Sequence, residues 1–316
     1  MNTVERRRAA LMGALVGDAA SLGAHWIYDV GRIADLRAAH GGSAAFLPVD
    51  PAHYDGGVGY FAHGARRLGM QTQYGATLAL AMAAIQRDGG FDVGAYQADF
   101  AAYFGAGGPF VGYIDRPTRG TLANIAAERT DPSGIDDDQL PALATLPAVI
   151  VTGQNVEQAI CVTNDNDVAR AYGAVFAVAL GAVLKGAPLA QALRDAAPLA
   201  GEEGVEALIQ ALDTEEPDST AYGEVTGRAC HLPMAMPLAF HILARASSFE
   251  EAINRNIDAG GDSAGRSIVI GALMGAAHGV ATRTGVPLAW LLKLEDGAEA
   301  WSRSLALADL APVDGP

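Results

Sequence analysis

An all-α fold follows from three features of the chain. Ala- and Leu-rich stretches repeat their apolar residues at helical spacing, strict alternation is rare, and two helix patterns at opposite ends carry small residues every four positions. The first pattern runs from residue 10 to residue 29, with Gly13, Gly17 and Ser21 on one ridge and Asp18 within it. On a continuous helix Asp18, His25 and Asp29 share one face, at i, i+7 and i+11. Further helices are expected over Thr77 to Gln86, Val168 to Lys185, Ala187 to Ala197, Val205 to Leu212, Pro233 to Ala246 and Phe249 to Asn254. Asn164-Asp165-Asn166-Asp167 reads as a cap for the second of these. The run Ala148 to Thr152 fits a strand or a buried helical turn. Loops are expected over Thr130 to Pro147 and Thr214 to Gly223, both acidic and read as solvated surface. The last helix, Ile268 to Val280, repeats the small-residue ridge with Ser267, Gly271, Gly275 and Gly279. Such ridges let two backbones approach closely, which would bring Asp18 near Asp262.

The chain of 316 residues is half hydrophobic, enough for a large core, and shows no linker, repeat or low-complexity tract. One domain over 1–316 is the resulting expectation. A net charge of −15 argues against nucleic-acid backbones and anionic membranes as partners. Two cysteines, Cys161 and Cys230, make no disulfide framework and lack zinc spacing, which suits a cytoplasmic location. Arg6-Arg7-Arg8 before an apolar run imitates a signal peptide, but Asp18 ends that run. No segment reads as the roughly 18 apolar residues of a membrane span.

Chemistry concentrates before the last helix, in Asn256-Ile257-Asp258-Ala259-Gly260-Gly261-Asp262-Ser263-Ala264-Gly265-Arg266. A glycine pair permits φ > 0 and close approach to a ligand, and the helix mouth attracts anions. Asp262 or Ser263 as a plain N-cap is the competing reading. His25 among acids has the chemistry of a proton donor near neutrality, against which stands a buried His with satisfied hydrogen bonds.

Gly17-Asp18, His25-Trp26-Ile27-Tyr28-Asp29, Gly112-Tyr113-Ile114-Asp115 with Thr121-Leu122-Ala123-Asn124, Cys230-His231-Leu232-Pro233, Gly260-Gly261-Asp262-Ser263 with Arg266, and Gly285-Val286-Pro287-Leu288 are collinear. Together they resemble the ADP-ribosylglycohydrolase superfamily, in its J1-crystallin-like branch. The resemblance implies a compact helical bundle and an N-glycoside hydrolase acting on a small ribosyl or ADP-ribosyl substrate. Metal-dependent members carry a Thr-Asp-Asp-Thr block and a Gly-Gly-Asp-Thr-Asp-Thr block that hold two divalent cations. Here the early block falls on Gln73, Tyr74, Gly75 and Ala76, and Ala264 and Gly265 replace the last acid and threonine. Asp262 keeps one ligand, so no cofactor is expected beyond at most one weakly bound Mg²⁺ or Mn²⁺.

Asp262 or Asp258 is the expected general base, His25 the proton donor, and Asp18 the group that orients water or substrate. Asp29, Gln73, Tyr74, Gly260, Gly261, Ser263, Arg266 and His231 are expected to line the pocket. Arg266 would meet any phosphate, with Arg116 and Arg119 as further candidates. A non-catalytic, ligand-binding or crystallin-like protein is the alternative, favoured by the lost acids.

Overall fold

A computed structural model describes residues 1–310; residues 311–316, the end of the expected domain, lie outside the described part. The chain opens with α1 (Thr3–Ser21), started by a capping box between Asn2 and Glu5, followed by α2 (Val30–Ala39). After a long irregular segment come α3 (Gln73–Asp88), capped by Thr72, then α4 (Val93–Phe104) and α5 (Arg116–Ala126), capped by Asp115. Next are α6 (Leu146–Val151), α7 (Val156–Ile160), α8 (Asp167–Leu184), α9 (Leu189–Ala196) and α10 (Gly201–Asp213). The C-terminal third holds α11 (Ser219–Thr226), α12 (Leu232–Arg245), α13 (Phe249–Asp258), α14 (Ser263–His278), α15 (Leu288–Leu291) and α16 (Gly297–Leu310). No strand occurs among the described residues, only isolated bridges such as Ile27 with Gly59.

The centre of the fold is the crossing of α1, buried from Ala9 to Ser21, and α14, buried from Ser263 to Ala276. Their ridges of small residues meet as the spacing requires. A Cβ on Gly13 would lie 2.1 Å from the Gly271 carbonyl oxygen, and one on Gly271 would lie 2.2 Å from that of Gly13. At the end of this seam the Ser21 and Ser267 hydroxyls are 2.7 Å apart. Only glycine permits two helix backbones to touch in this way.

Several local expectations are corrected. The first helix stops at Ser21, and a 3-10 turn over Leu22–Ala24 separates it from His25, so Asp18, His25 and Asp29 do not share a helical face. The chain turns there because Trp26 takes φ +66° and is tied to the glycine pair ahead of α14. Of the two alternatives for Ala148 to Thr152 the buried helical turn holds: Ala148 to Val151 lie in α6 and Thr152 is its C-cap. The acidic loops are only partly solvated: Leu140 to Leu143 form a buried 3-10 turn, Asp137 is buried, and α11 starts within the second loop. The 18-residue α8, with mean hydropathy 1.5, has the length and composition of a membrane span that the sequence reading did not assign, and half of it is buried in the fold.

Candidate functional site

Four segments converge on Asp262. The glycine pair before it is left-handed, Gly260 at φ +74° and Gly261 at φ +67°, and a Cβ on Gly261 would sit 2.0 Å from the Arg228 carbonyl oxygen. Asp262 then caps α14, accepting from the Gly265 N–H at 2.9 Å. The N-cap reading is therefore correct as geometry, and it accounts for a single bond to one oxygen. The same Oδ1 accepts from His25 Nε2 at 2.9 Å, and Oδ2 accepts from the Tyr74 hydroxyl at 2.7 Å. Burial pushes this carboxyl up, but the His25 imidazole and the three hydrogen bonds outweigh it and hold it below the ordinary carboxylate range. Asp262 is thus a fully buried, ionised carboxylate.

His25 Nδ1 lies 2.6 Å from His63 Nε2, with the two rings stacked, so a chain of hydrogen bonds runs from Tyr74 through Asp262 and His25 to His63. Because Asp262 accepts at Nε2, His25 carries its proton there, and a single proton is shared in the gap between the two imidazoles. Burial and the neighbouring His25 lower His63 well below its usual value, which keeps His63 neutral. Tyr74 is pushed well up by burial and by Asp262, and stays a donor.

Asp18 belongs to an adjoining cluster. Its carboxylate accepts from the Thr72 N–H at 2.7 Å and from the Thr72 hydroxyl, and burial outweighs these bonds to raise its pKa to about 6. A Cβ on Gly75 would lie 2.3 Å from Asp18 Oδ2, so the Asp18 carboxylate fills the space beside this turn of α3. Gln73 points the other way: its side-chain amide donates to Asp115 Oδ2 at 2.6 Å and to the Thr118 hydroxyl, and its oxygen accepts from the Asp115 N–H. Asp115 is also raised to about 6 by burial, against bonds from Thr118 and Gln73. The first turn of α3 thereby joins three buried acids, Asp18, Asp115 and Asp262, which keep separate partners.

Other expected pocket residues lie elsewhere. Asp258 ends α13 in an ion pair with Arg37, away from the partners of Asp262. Asp29 is exposed and caps α2 through the Arg32 N–H at 2.9 Å. His231 is exposed and bonds Asp138 at 2.6 Å. Arg266 is fully buried and spends its guanidinium on Asn256 Oδ1 and on the carbonyls of Asn256, Gly260 and Arg228, so it braces the glycine turn and offers no free fork to a phosphate. Arg116 pairs with Asp137, and Arg119 donates to the Ile114 carbonyl. Ser263 is wholly buried beside Asp262, and its hydroxyl has no hydrogen-bond partner.

The donor set does not fit a two-cation centre. Both Asp262 oxygens and both Asp18 oxygens already accept protein hydrogen bonds, and among the described residues no group of three His, Cys, Asp or Glu is placed to hold a metal.

His63 and Thr72 were missed by the sequence reading. His63 sits in an irregular segment without periodicity, while Thr72, a threonine just before a helical run, had the signature of an N-cap.

A family model described as ADP-ribosylglycohydrolase matches residues 1–315. A solved structure titled "ADP-ribosylglycohydrolase-related protein complex" is similar over 98% of this chain and 99% of its own, with a TM-score of 0.70 at 20% identity, which establishes a shared fold. No curated protein matches the sequence.

Proposed function

Since the chain belongs to the ADP-ribosylglycohydrolase family, which supports a glycohydrolase-type function, we propose that it is an N-glycoside hydrolase acting on a ribosyl or ADP-ribosyl conjugate at the Asp262 cluster. The observation carrying this reading is that the Asp262 carboxyl accepts from His25 and Tyr74 in addition to the Gly265 N–H that its cap role requires. A helix cap needs only the Gly265 bond; the additional His and Tyr impose a buried polar network that is costly to keep satisfied.

Cleavage of an N-glycosidic bond develops positive charge at the anomeric carbon and requires a proton on the leaving group. Asp262 supplies fixed negative charge for the first need, in a site where low dielectric strengthens it. The His25–His63 pair supplies a path for the second. The relay requires three protons on the pair: His63 gives its Nδ1–H to the leaving group while the proton between the rings moves from His25 Nδ1 to His63 Nε2, and Asp262 holds the His25 Nε2–H in place. Water then captures the anomeric carbon and its released proton restores the pair. Asp18 orients the first turn of α3, and with it Tyr74, through Thr72.

A second reading, a non-catalytic ligand-binding protein, is favoured by one observation: Asp262 has both oxygens occupied and no exposed surface. Asp262→Asn and Asp262→Ala separate the two. Hydrolysis of ADP-ribosylated substrates should vanish in Asp262→Asn, with the helical spectrum retained, because Asn still caps a helix. Unaltered turnover in that variant would refute the catalytic reading and leave the cap. Binding of ADP-ribose without turnover in the wild type would support the second.

A further inference from the structure

Trp26 is one of four non-glycine residues with positive φ among the described residues, at +66°, a conformation bulky side chains rarely adopt. It is clamped there. Its N–H donates to the Gly261 carbonyl at 2.9 Å, its carbonyl accepts from the Tyr60 N–H at 3.0 Å, and a Cβ on Gly59 would lie 2.2 Å from that carbonyl. Such strain persists only where the surroundings enforce it, and it invites a functional explanation. The residue held in this way is partly exposed and lies beside the buried His25 that bonds Asp262. The indole lies 4.3 Å from the His25 ring at 30° and is stacked with His63 at 19°. Tyr113 stands perpendicular to it at 4.9 Å, and Tyr60 leans on it at 5.9 Å. Tyr60 is 58% exposed, and Trp26 and Tyr113 are partly exposed.

Three rings with centroids 4.9 to 6.1 Å apart pack against one another and leave no central gap for a caged ammonium ion. What they offer is an outer aromatic surface. We propose that Trp26, Tyr60 and Tyr113 form a stacking platform for a planar nitrogen heterocycle attached directly to the anomeric carbon of a ribosyl ligand. This rests on the reading of Asp262 as the site of the scissile bond. Trp26, the inner ring of the platform, is separated from Asp262 by one ring, His25, and Tyr60 and Tyr113 extend outward from Trp26, so a planar group attached at the scissile bond and stacked on these rings is the aglycone. The far adenine of an ADP-ribosyl group, removed from the anomeric carbon by two phosphates and a second ribose, belongs further out.

Three probes test the platform: inosine carries a heterocycle on the anomeric carbon, ADP-ribose carries its base at the far end, and ribose 5-phosphate carries none. Binding is read by calorimetry and by quenching of tryptophan fluorescence. Tyr60→Ala, at an exposed position that leaves the core intact, should weaken inosine binding about ten-fold, as loss of one stacking ring does. Trp26→Leu should weaken it further and abolish ligand-induced quenching. Ribose 5-phosphate should bind both variants like the wild type. Absence of inosine binding in the wild type, unchanged inosine affinity in Tyr60→Ala, or a loss confined to ADP-ribose would each overturn the proposal. A Tyr60→Ala loss for inosine alongside full turnover in Asp262→Asn supports the platform while refuting the catalytic reading of Asp262.

Discussion

Asp18 gives the sharpest quantitative handle on the buried polar layer. Burial raises its pKa from 3.8 to about 6 despite the Thr72 bonds. The folded state therefore holds this proton more tightly than the unfolded chain, and stability falls as pH rises from 3.8 toward 6, then stays reduced above it. A gap of about 2.2 pH units corresponds to about 3 kcal/mol at neutral pH. Roughly half of that is already lost at about pH 5. Asp18→Asn removes the ionisation. With its oxygen toward the Thr72 N–H and its amide toward the Thr72 hydroxyl, the new side chain also keeps both partners. Relative to wild type, the variant should gain about 2.5 kcal/mol between about pH 4 and pH 7.5, equivalent to roughly 4 °C of melting temperature for a chain of this length. Melting both proteins across that range isolates Asp18 from Asp115, which titrates with the same sign and cancels in the difference. A difference that stays flat with pH would show that burial does not perturb the Asp18 carboxyl, and the reasoning would fail.

Other expectations follow the same physical lines. Gly13→Ala drives a methyl into the Gly271 carbonyl at 2.1 Å, and should destabilise the fold by roughly 2 kcal/mol net, overpacking outweighing the ~1 kcal/mol that alanine gains as a helix former; a melting temperature equal to wild type would contradict the tight crossing. Tyr74→Phe removes the hydroxyl from Asp262 Oδ2 and should cost about 2 kcal/mol, as for a bond to a charged group; a neutral effect by urea titration would mean that Asp262 is protonated or rehydrated there. Purified protein should carry fewer than two divalent ions per chain by elemental analysis, and chelation should shift its melting temperature little; two tightly held ions would show that other groups complete the centre.

The fold was legible where backbone geometry alone decides it. Residues spaced by four along α1 and α14 named the seam, and the seam is built from Gly13, Gly271, Ser21 and Ser267. Asp262 was legible for the same reason, since a glycine pair followed by an acid and a helix specifies a capped turn. The failures share a cause. Helical periodicity extended α1 to Asp29, because nothing local announces that Trp26 will be forced left-handed by contacts with Gly59 and Gly261, residues distant in sequence. His63 was invisible because its role comes from a ring stacked against it by the tertiary fold. Arg266 read as an anion receptor because a sequence shows its charge, while the carbonyls that consume it come from the turn it braces.

The crossing of α1 with α14 also sets a schedule for the nascent chain. Residue 278 leaves the ribosome 257 positions after residue 21, a delay of roughly 13 to 50 s at ordinary synthesis rates. Through that interval α1 has no partner for its glycine ridge, although α3, α6 and α8, which also pack on it, emerge earlier. The core is closed late, by contacts of high sequence separation, so folding is slow by topology and completed only once α14 has emerged. Any lesion that stops translation before α14 leaves the first helix without the surface it was shaped to meet.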